Sequence, residues 1–197
     1  MKHIKPFRLV ESTEEEEANF TYQDDVPAEV LTRLSKSSDP DIRAKVAGHR
    51  NTPEEVLIEL VNDPSQLVRA WTATNNNLPE DLLEKFATGD DAFIRAMAAG
   101  QARLSPEIIE NLSHDPSPMV RSRLLMNPNL TPEIAANYDD EEDDSVKKQM
   151  AMCSAISTNT IRKLMKDPDP EVSRLGKTFI KFRSDRHDIV DDLLGDF

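Results

Sequence analysis

The chain has 197 residues, of which 38% are hydrophobic, 5% aromatic and 31% charged, with a formal net charge of −13. Five glycines and few aromatics argue against a β-rich barrel, and the apolar content is too high for a disordered chain, leaving a soluble, helix-rich protein. No apolar run approaches the roughly 18–20 residues of a spanning helix, the opening MKHIKPFRLVESTEEEE lacks an apolar signal core, and the single Cys153 cannot make an internal disulfide, so a cytoplasmic location is expected.

The acid is concentrated in three blocks. Residues 1–26 carry 3 Lys/Arg and 7 Asp/Glu, the run DDEEDD fills Asp139 to Asp144, and residues 185–197 carry Arg186 with five Asp. Outside them stand 20 bases and 19 acids, so the body of the chain is near neutral. Residues 1–25 read as an acidic, partly disordered arm.

From Pro27 the chain repeats itself. A step of 26 leads from Arg43 to Arg69, Arg95, Arg121 and Lys147, preceded by Ile42, Val68, Ile94, Val120 and Val146. The same step leads from Val30 to Val56, Leu82, Ile108 and Ile134, and from Leu34 to Leu60, Phe86, Leu112 and Tyr138. A sixth copy keeps Val172, Ile161 and Leu164. Each unit reads as two short helices. The first, such as LVRAWTAT at 67–74, ends in an Asn-bearing turn. The second opens on a proline with acids behind it, where proline sacrifices no intrahelical bond and acids meet the positive end of the helix dipole. Thr52, Ser105 and Thr131 precede such prolines and are expected N-caps. The proline stands three residues before the first apolar slot at Pro27, Pro53 and Pro79, and two before it at Pro106 and Pro132. Two helices and two tight turns fill a 26-residue unit, and a unit this small must stack on its neighbours to bury its apolar face. Ala44, Ala70 and Ala96, with Ala47, Ala73 and Ala99, are small enough for close helix approach. The end of the chain, RHDIVDDLLGDF, puts Ile189, Val190, Leu193 and Leu194 on one helical face, as a cap on the last unit or a docking segment.

At DPSPMVRSRLLMNPNLTPEIAAN, residues 115–137, and in DPSQLVRAWTATNNNLPEDLL and DIRAKVAGHRNTPEEVLIEL, the chain resembles the leucine-rich repeat variant family. The resemblance covers approximately residues 27–175. It implies an all-α, right-handed α-solenoid of about six two-helix repeats, in which α-helices alternate with tighter ones, related in form to HEAT and armadillo arrays. Some members carry a cysteine-ligated iron–sulfur cluster before the repeats; with no cysteine before Cys153, that segment is expected to be absent. The expected organisation is an arm over 1–25, a repeat domain over 26–183 and a cap or tail over 184–197.

Candidate sites divide into repeated and unrepeated positions. The ladder Arg43, Arg69, Arg95, Arg121 and Lys147 could track phosphates, but charge-assisted bonds to turn groups of adjoining units explain its repetition without a ligand. Asn51, Asn77, Asn127 and Asn129 likewise read as turn and cap residues. The slot running Lys45, Trp71, Met97, Arg123, Gln149 and Leu175 changes chemistry in every copy. Facing solvent, Trp71, Met97 and Arg123, with Lys45, would form a mixed apolar and basic contact strip of the kind enriched at interaction hot spots; the structural alternative is a half-buried edge packed differently in each unit.

Catalysis finds little support. His3, His49, His114 and His187 are scattered, with no metal-ligand spacing, phosphate loop or nucleophile elbow. The acidic patch Asp139, Asp140, Glu141, Glu142, Asp143 and Asp144 lacks the glycine and spacing of a calcium loop. Clustered acids make nucleic acid an unfavourable partner. The expected function is therefore a non-enzymatic scaffold, without cofactor or metal, that binds a protein partner. The alternative is an acidic inhibitor or immunity-type protein that mimics nucleic acid and blocks a nuclease or DNA-binding protein.

Overall fold

The computed structural model describes residues 26–194, with side chains described to residue 182. These residues form helices and turns and no strand. In chain order the helices are α1 (Ala28–Leu34), α2 (Pro40–Gly48), α3 (Glu54–Leu60), α4 (Gln66–Thr74), α5 (Glu80–Ala87), α6 (Ala92–Ala99), α7 (Pro106–Ser113), α8 (Pro118–Leu124), α9 (Pro132–Ala135), α10 (Asp144–Met152), α11 (Thr158–Leu164) and α12 (Pro170–Leu194). The expected all-α repeat architecture is present. Within the span expected as one repeat domain, the chain divides into two compact units, Met1–Gly89 and Asp90–Phe197.

In the first unit α2 lies against α4. Val30, Leu31 and Leu34 of α1, Ile42 and Val46 of α2, Val56 and Leu60 of α3 and Val68 of α4 are all buried. In the second unit α6 packs on α8, α8 on α10 and α10 on α12, over a core that includes Ile94, Ile109, Leu112, Val120, Leu124, Val146, Met150 and Ile161. Ala44 and Ala70 in the first unit and Ala96 and Ala99 in the second are likewise buried, so first helices approach across short side chains. Each fully buried Leu or Ile contributes about 1.5–3 kcal/mol of apolar transfer.

Two sets of polar ties hold successive repeats in register. Arg43 on α2 grips Asp63 through two parallel bonds, Nε to Oδ2 at 2.7 Å and Nη2 to Oδ1 at 3.0 Å, and donates to the Ser37 carbonyl at 2.8 Å. Arg95 repeats the grip on Asp115 at 2.7 and 2.9 Å. Arg121 does so on Glu141 at 2.7 and 2.8 Å, and Lys147 reaches Asp167 at 3.1 Å. The acid stands 20 residues after its base in every case, except that Gly89 occupies that place for Arg69; Arg69 donates to the Asp63 carbonyl at 2.8 Å. The same carboxylates accept backbone amides, Ser65 on Asp63 and Ser117 on Asp115, both at 2.8 Å, so each acid orders a turn as well as bridging two repeats. Burial works to raise the Asp63 carboxyl, but the Arg43 and Ser65 hydrogen bonds and the Arg43 and Arg69 charges outweigh it and hold it below the usual range. At Glu141 burial is likewise overcome by Arg121 and the Asp143 and Glu142 amides.

The second tie is amide to carbonyl. Buried Asn75 donates through Nδ2 to the carbonyls of Ala47 and His49 at 2.7 and 2.9 Å, capping the end of α2. Asn127 does the same for Ala99 and Gln101 at the end of α6, at 2.7 and 3.0 Å. Their side-chain oxygens accept the amides of Asn77 and Asn129. Helix carbonyls left open by the α-helical pattern are thus satisfied by the next repeat.

Local details depart from the sequence expectations. Thr52 does not cap α3; its hydroxyl donates back to the Val46 carbonyl, and Pro53 takes the N-cap place without a side-chain bond. Ser105 occupies the N-cap of α7, also without a side-chain bond, and Thr131 alone of the three accepts an amide, that of Ile134. The extra residue after Pro27, Pro53 and Pro79 moves those prolines to the N-cap, whereas Pro106 and Pro132 are the first helical residue. The alternation with tighter helices survives at one place among the described residues: α9 stops after one turn and continues as a 3-10 helix over Ala136–Tyr138. The segment expected from residue 184 as a cap or tail falls largely within α12, which runs from Pro170 to Leu194; its apolar residues 189–194 lie outside the described side chains, and the N-terminal arm, residues 1–25, outside the described residues.

Candidate interaction surface

The ladder and the core consume one side of each first helix. The opposite side, at positions i, i+4 and i+7, carries Asp41, Lys45 and Gly48 on α2 and Leu67, Trp71 and Thr74 on α4. In the second unit it carries Phe93 and Met97 on α6 with Gly100 at its C-cap, Met119 and Arg123 on α8 with Met126 just beyond its end, and Ser145, Gln149 and Met152 on α10. Eight large apolar side chains are exposed among the described residues, and six fall on these positions: Leu67, Trp71, Phe93, Met119, Met126 and Met152. Scattered exposed apolars need no explanation, but their concentration on one register of one helix set does.

In the first unit Lys45 and Trp71 line one groove of about 470 Å3 together with Asp41, Ala44, Gly48, His49 and Leu67. Trp71 is 49% exposed and lies across Gly48, where an added Cβ would stand 2.9 Å from Cε3 of the indole. In the second unit Arg123 lies across Gly100 in the same manner, with an added Cβ 3.0 Å from Nε. Both contacts join a residue to the glycine 23 positions earlier. The variable slot therefore has a structural partner: a flat side chain in it rests on the preceding first helix where that helix offers glycine. Met97 is half-buried.

Sequence reasoning singled out Trp71, Met97, Arg123 and Lys45 but passed over the slot four residues earlier, which runs Asp41, Leu67, Phe93, Met119 and Ser145. The available signal was the presence of Leu, Phe and Met immediately before the buried Val/Ile slot, on the wrong side of a helix to join the core.

Two arginines on α8 show the difference between a structural cation and an available one. Arg121 is gripped by Glu141 and by the Asp115 carbonyl. Arg123 makes no ion pair among the described residues; its Nη1 approaches the Met126 sulfur at 3.7 Å, and its Nε is buried with no hydrogen-bond partner.

Much of the acidic block is occupied by the fold. Glu141 holds Arg121, Asp143 caps α10 by accepting the Ser145 and Val146 amides, Asp139 accepts the Thr160 hydroxyl, and Asp144 meets Lys147 at 3.2 Å. Asp140 and Glu142 are exposed. No group of His, Cys, Asp and Glu suited to a metal ion occurs among the described residues, and no described helix is long and apolar enough to cross a membrane.

No protein-family model matches the chain, and no curated protein does. Among solved structures it is similar to a leucine-rich repeat variant protein, with 23% identity over 84% of this chain and 81% of the other and a TM-score of 0.36. It is also similar to an engineered protein, with 16% identity over 85% and 88% of the two chains and the same TM-score, 0.36.

Proposed function

We propose that the chain is a non-enzymatic interaction scaffold that takes a protein partner on the exposed side of its first helices. The observation that carries this reading is that six exposed large apolar side chains fall on that side of the first helices, while the ladder arginines Arg43, Arg95 and Arg121 are engaged within the fold. Trp and Arg are over-represented among residues that dominate binding energy, and methionine adapts to varied contours. Within the second unit Phe93, Met119, Met126 and Met152 recur on successive first helices, which suits a surface read by an extended or helical partner segment.

The reading is tested by affinity capture from the host with wild type and with the variants Trp71→Ser and Met119→Glu, alongside Ile58→Ser as an exposed apolar control outside the row. Loss of the captured proteins with both row variants and retention with the control is the expected result; equal capture by all four overturns it. Nucleic-acid mimicry by the acidic block draws less support, since Glu141 and Asp143 are engaged in the fold. Its discriminating variant is Asp140→Asn with Glu142→Gln, which leaves both in place.

A further inference from the structure

We infer that the second unit binds a partner segment that brings one carboxylate, set among apolar side chains, onto Arg123. This rests on the scaffold reading and names the chemistry of the segment.

The argument starts from the charge on this face. Phe93, Met97, Met119, Met126 and Met152 surround the slot, with Ser145 and Gln149 as its neutral polar members, and the face bears no acid. The other cations of these helices are committed: Arg95 to Asp115, Arg121 to Glu141, Lys147 to Asp167 and Lys148 to Glu171. Arg123 is half-buried, with one side of its guanidinium (Nε, Cζ and Nη2) against Gly100 and its Nε sealed from solvent without a hydrogen bond. A guanidinium that has lost part of its water and has no counter-ion among the described residues is held at a cost, which a carboxylate meeting its Nη groups end-on would offset.

The apolar surround makes that contact stronger and more selective than at an open surface, because water is displaced as the methionines close around the segment. Lysine in the slot could not match it, having neither the planar fork nor the flat fit on glycine. The chain's net charge of −13 works at long range against a uniformly acidic partner. The complementary segment is therefore apolar around a single Asp, Glu or terminal carboxylate, and not a polyacidic stretch.

A library of random twelve-residue peptides displayed on phage, panned against the full chain and counter-screened on Arg123→Gln, tests the inference. Enriched peptides are expected to share one acid flanked by Leu, Ile, Phe or Met, and to bind Arg123→Gln and Met119→Glu at least about tenfold more weakly than wild type. Replacing the peptide's acid by its amide should cost a similar factor, and should cost nothing further on Arg123→Gln. Circular dichroism of both variants checks that each is folded. Peptides that enrich without an acid, or that bind Arg123→Gln as well as wild type while losing affinity for Met119→Glu, overturn the inference and leave the scaffold reading standing. Failure of any peptide to enrich also overturns it, whereas the scaffold reading falls only on the capture experiment.

Discussion

Replacing Asp115 by alanine isolates what one rung of the ladder contributes. The Arg95 and Asp115 side chains are 13% and 6% exposed, and alanine removes both guanidinium contacts together with the acceptor of the Ser117 amide. The guanidinium keeps its bond to the Asp90 carbonyl but stays largely shielded from water without its counter-ion. Breaking such a pair from one side costs about 3–5 kcal/mol, of which the orphaned amide accounts for about 1. The double variant Asp115→Leu, Arg95→Met removes both charges and should recover part of that loss, because no unpaired charge remains. Lys36→Met is the control: its partner is Glu59, the two side chains are 62% and 59% exposed, and such pairs contribute about 0–1 kcal/mol. Urea unfolding followed by circular dichroism measures all of them. With a slope of about 1–3 kcal/mol per molar, Asp115→Ala should lower the midpoint by at least about 1 M. A loss no larger than that of Lys36→Met, or a double variant as unstable as the sum of its single variants, would refute the assignment of the ladder as a buried structural bridge.

Leu83 is fully buried in α5, so Leu83→Ala should cost about 2–5 kcal/mol in the same assay. Gly48→Ala should lift Trp71, the only tryptophan, off α2; the expected readout is a change in its fluorescence with less than about 1 kcal/mol of destabilisation, because the side chain that must yield is exposed. Tyr138→Phe removes the bond from its hydroxyl to the Arg121 carbonyl at 3.1 Å and should cost about 0.5–1.5 kcal/mol. Asp63 and Glu141 are held below their ordinary values of 3.8 and 4.5. Their stabilising contribution is complete above those values and is lost as pH falls towards the depressed folded-state values, because the unfolded chain takes up the protons first. The urea midpoint should therefore drop below about pH 4.5, and Glu141→Gln should flatten part of that drop; an unchanged slope would remove Glu141 from the account.

The periodic part of the fold was legible because stacking demands sameness. A buried Val or Ile at 42, 68, 94, 120 and 146 tolerates little drift, and so does a base whose acid lies 20 residues on; Lys at 147, Glu at 141 and Gly89 in the place of the Arg69 acid are the departures within these five copies. Thr52 was misassigned because a hydroxyl before a proline has two acceptable uses, capping the helix ahead or bonding the carbonyl behind, and the choice depends on the position of α2. The exposed slot at Leu67, Phe93 and Met119 escaped notice because its residues are apolar like the core, and only the helix rotation separates them. The cradle of Trp71 on Gly48 and Arg123 on Gly100 pairs residues of unlike type across different repeats, which a search for repetition passes over. Of the acidic block, the spacing argued against a calcium loop; it did not reveal that Glu141 stands in the ladder's acid position.

The reach of the ties has a kinetic and evolutionary consequence. Each rung joins residues 20 apart, and the Asn clasps join residues 26 to 28 apart. Low contact order of this kind favours rapid folding that can begin at any adjoining pair and spread along the chain. It also means that duplicating a 26-residue stretch such as 90–115, which holds both Arg95 and Asp115, supplies the new base with an acid 20 residues on. Chain length can then change by whole repeats while the base-to-acid rungs on either side are preserved, and the exposed positions are free to diverge one repeat at a time.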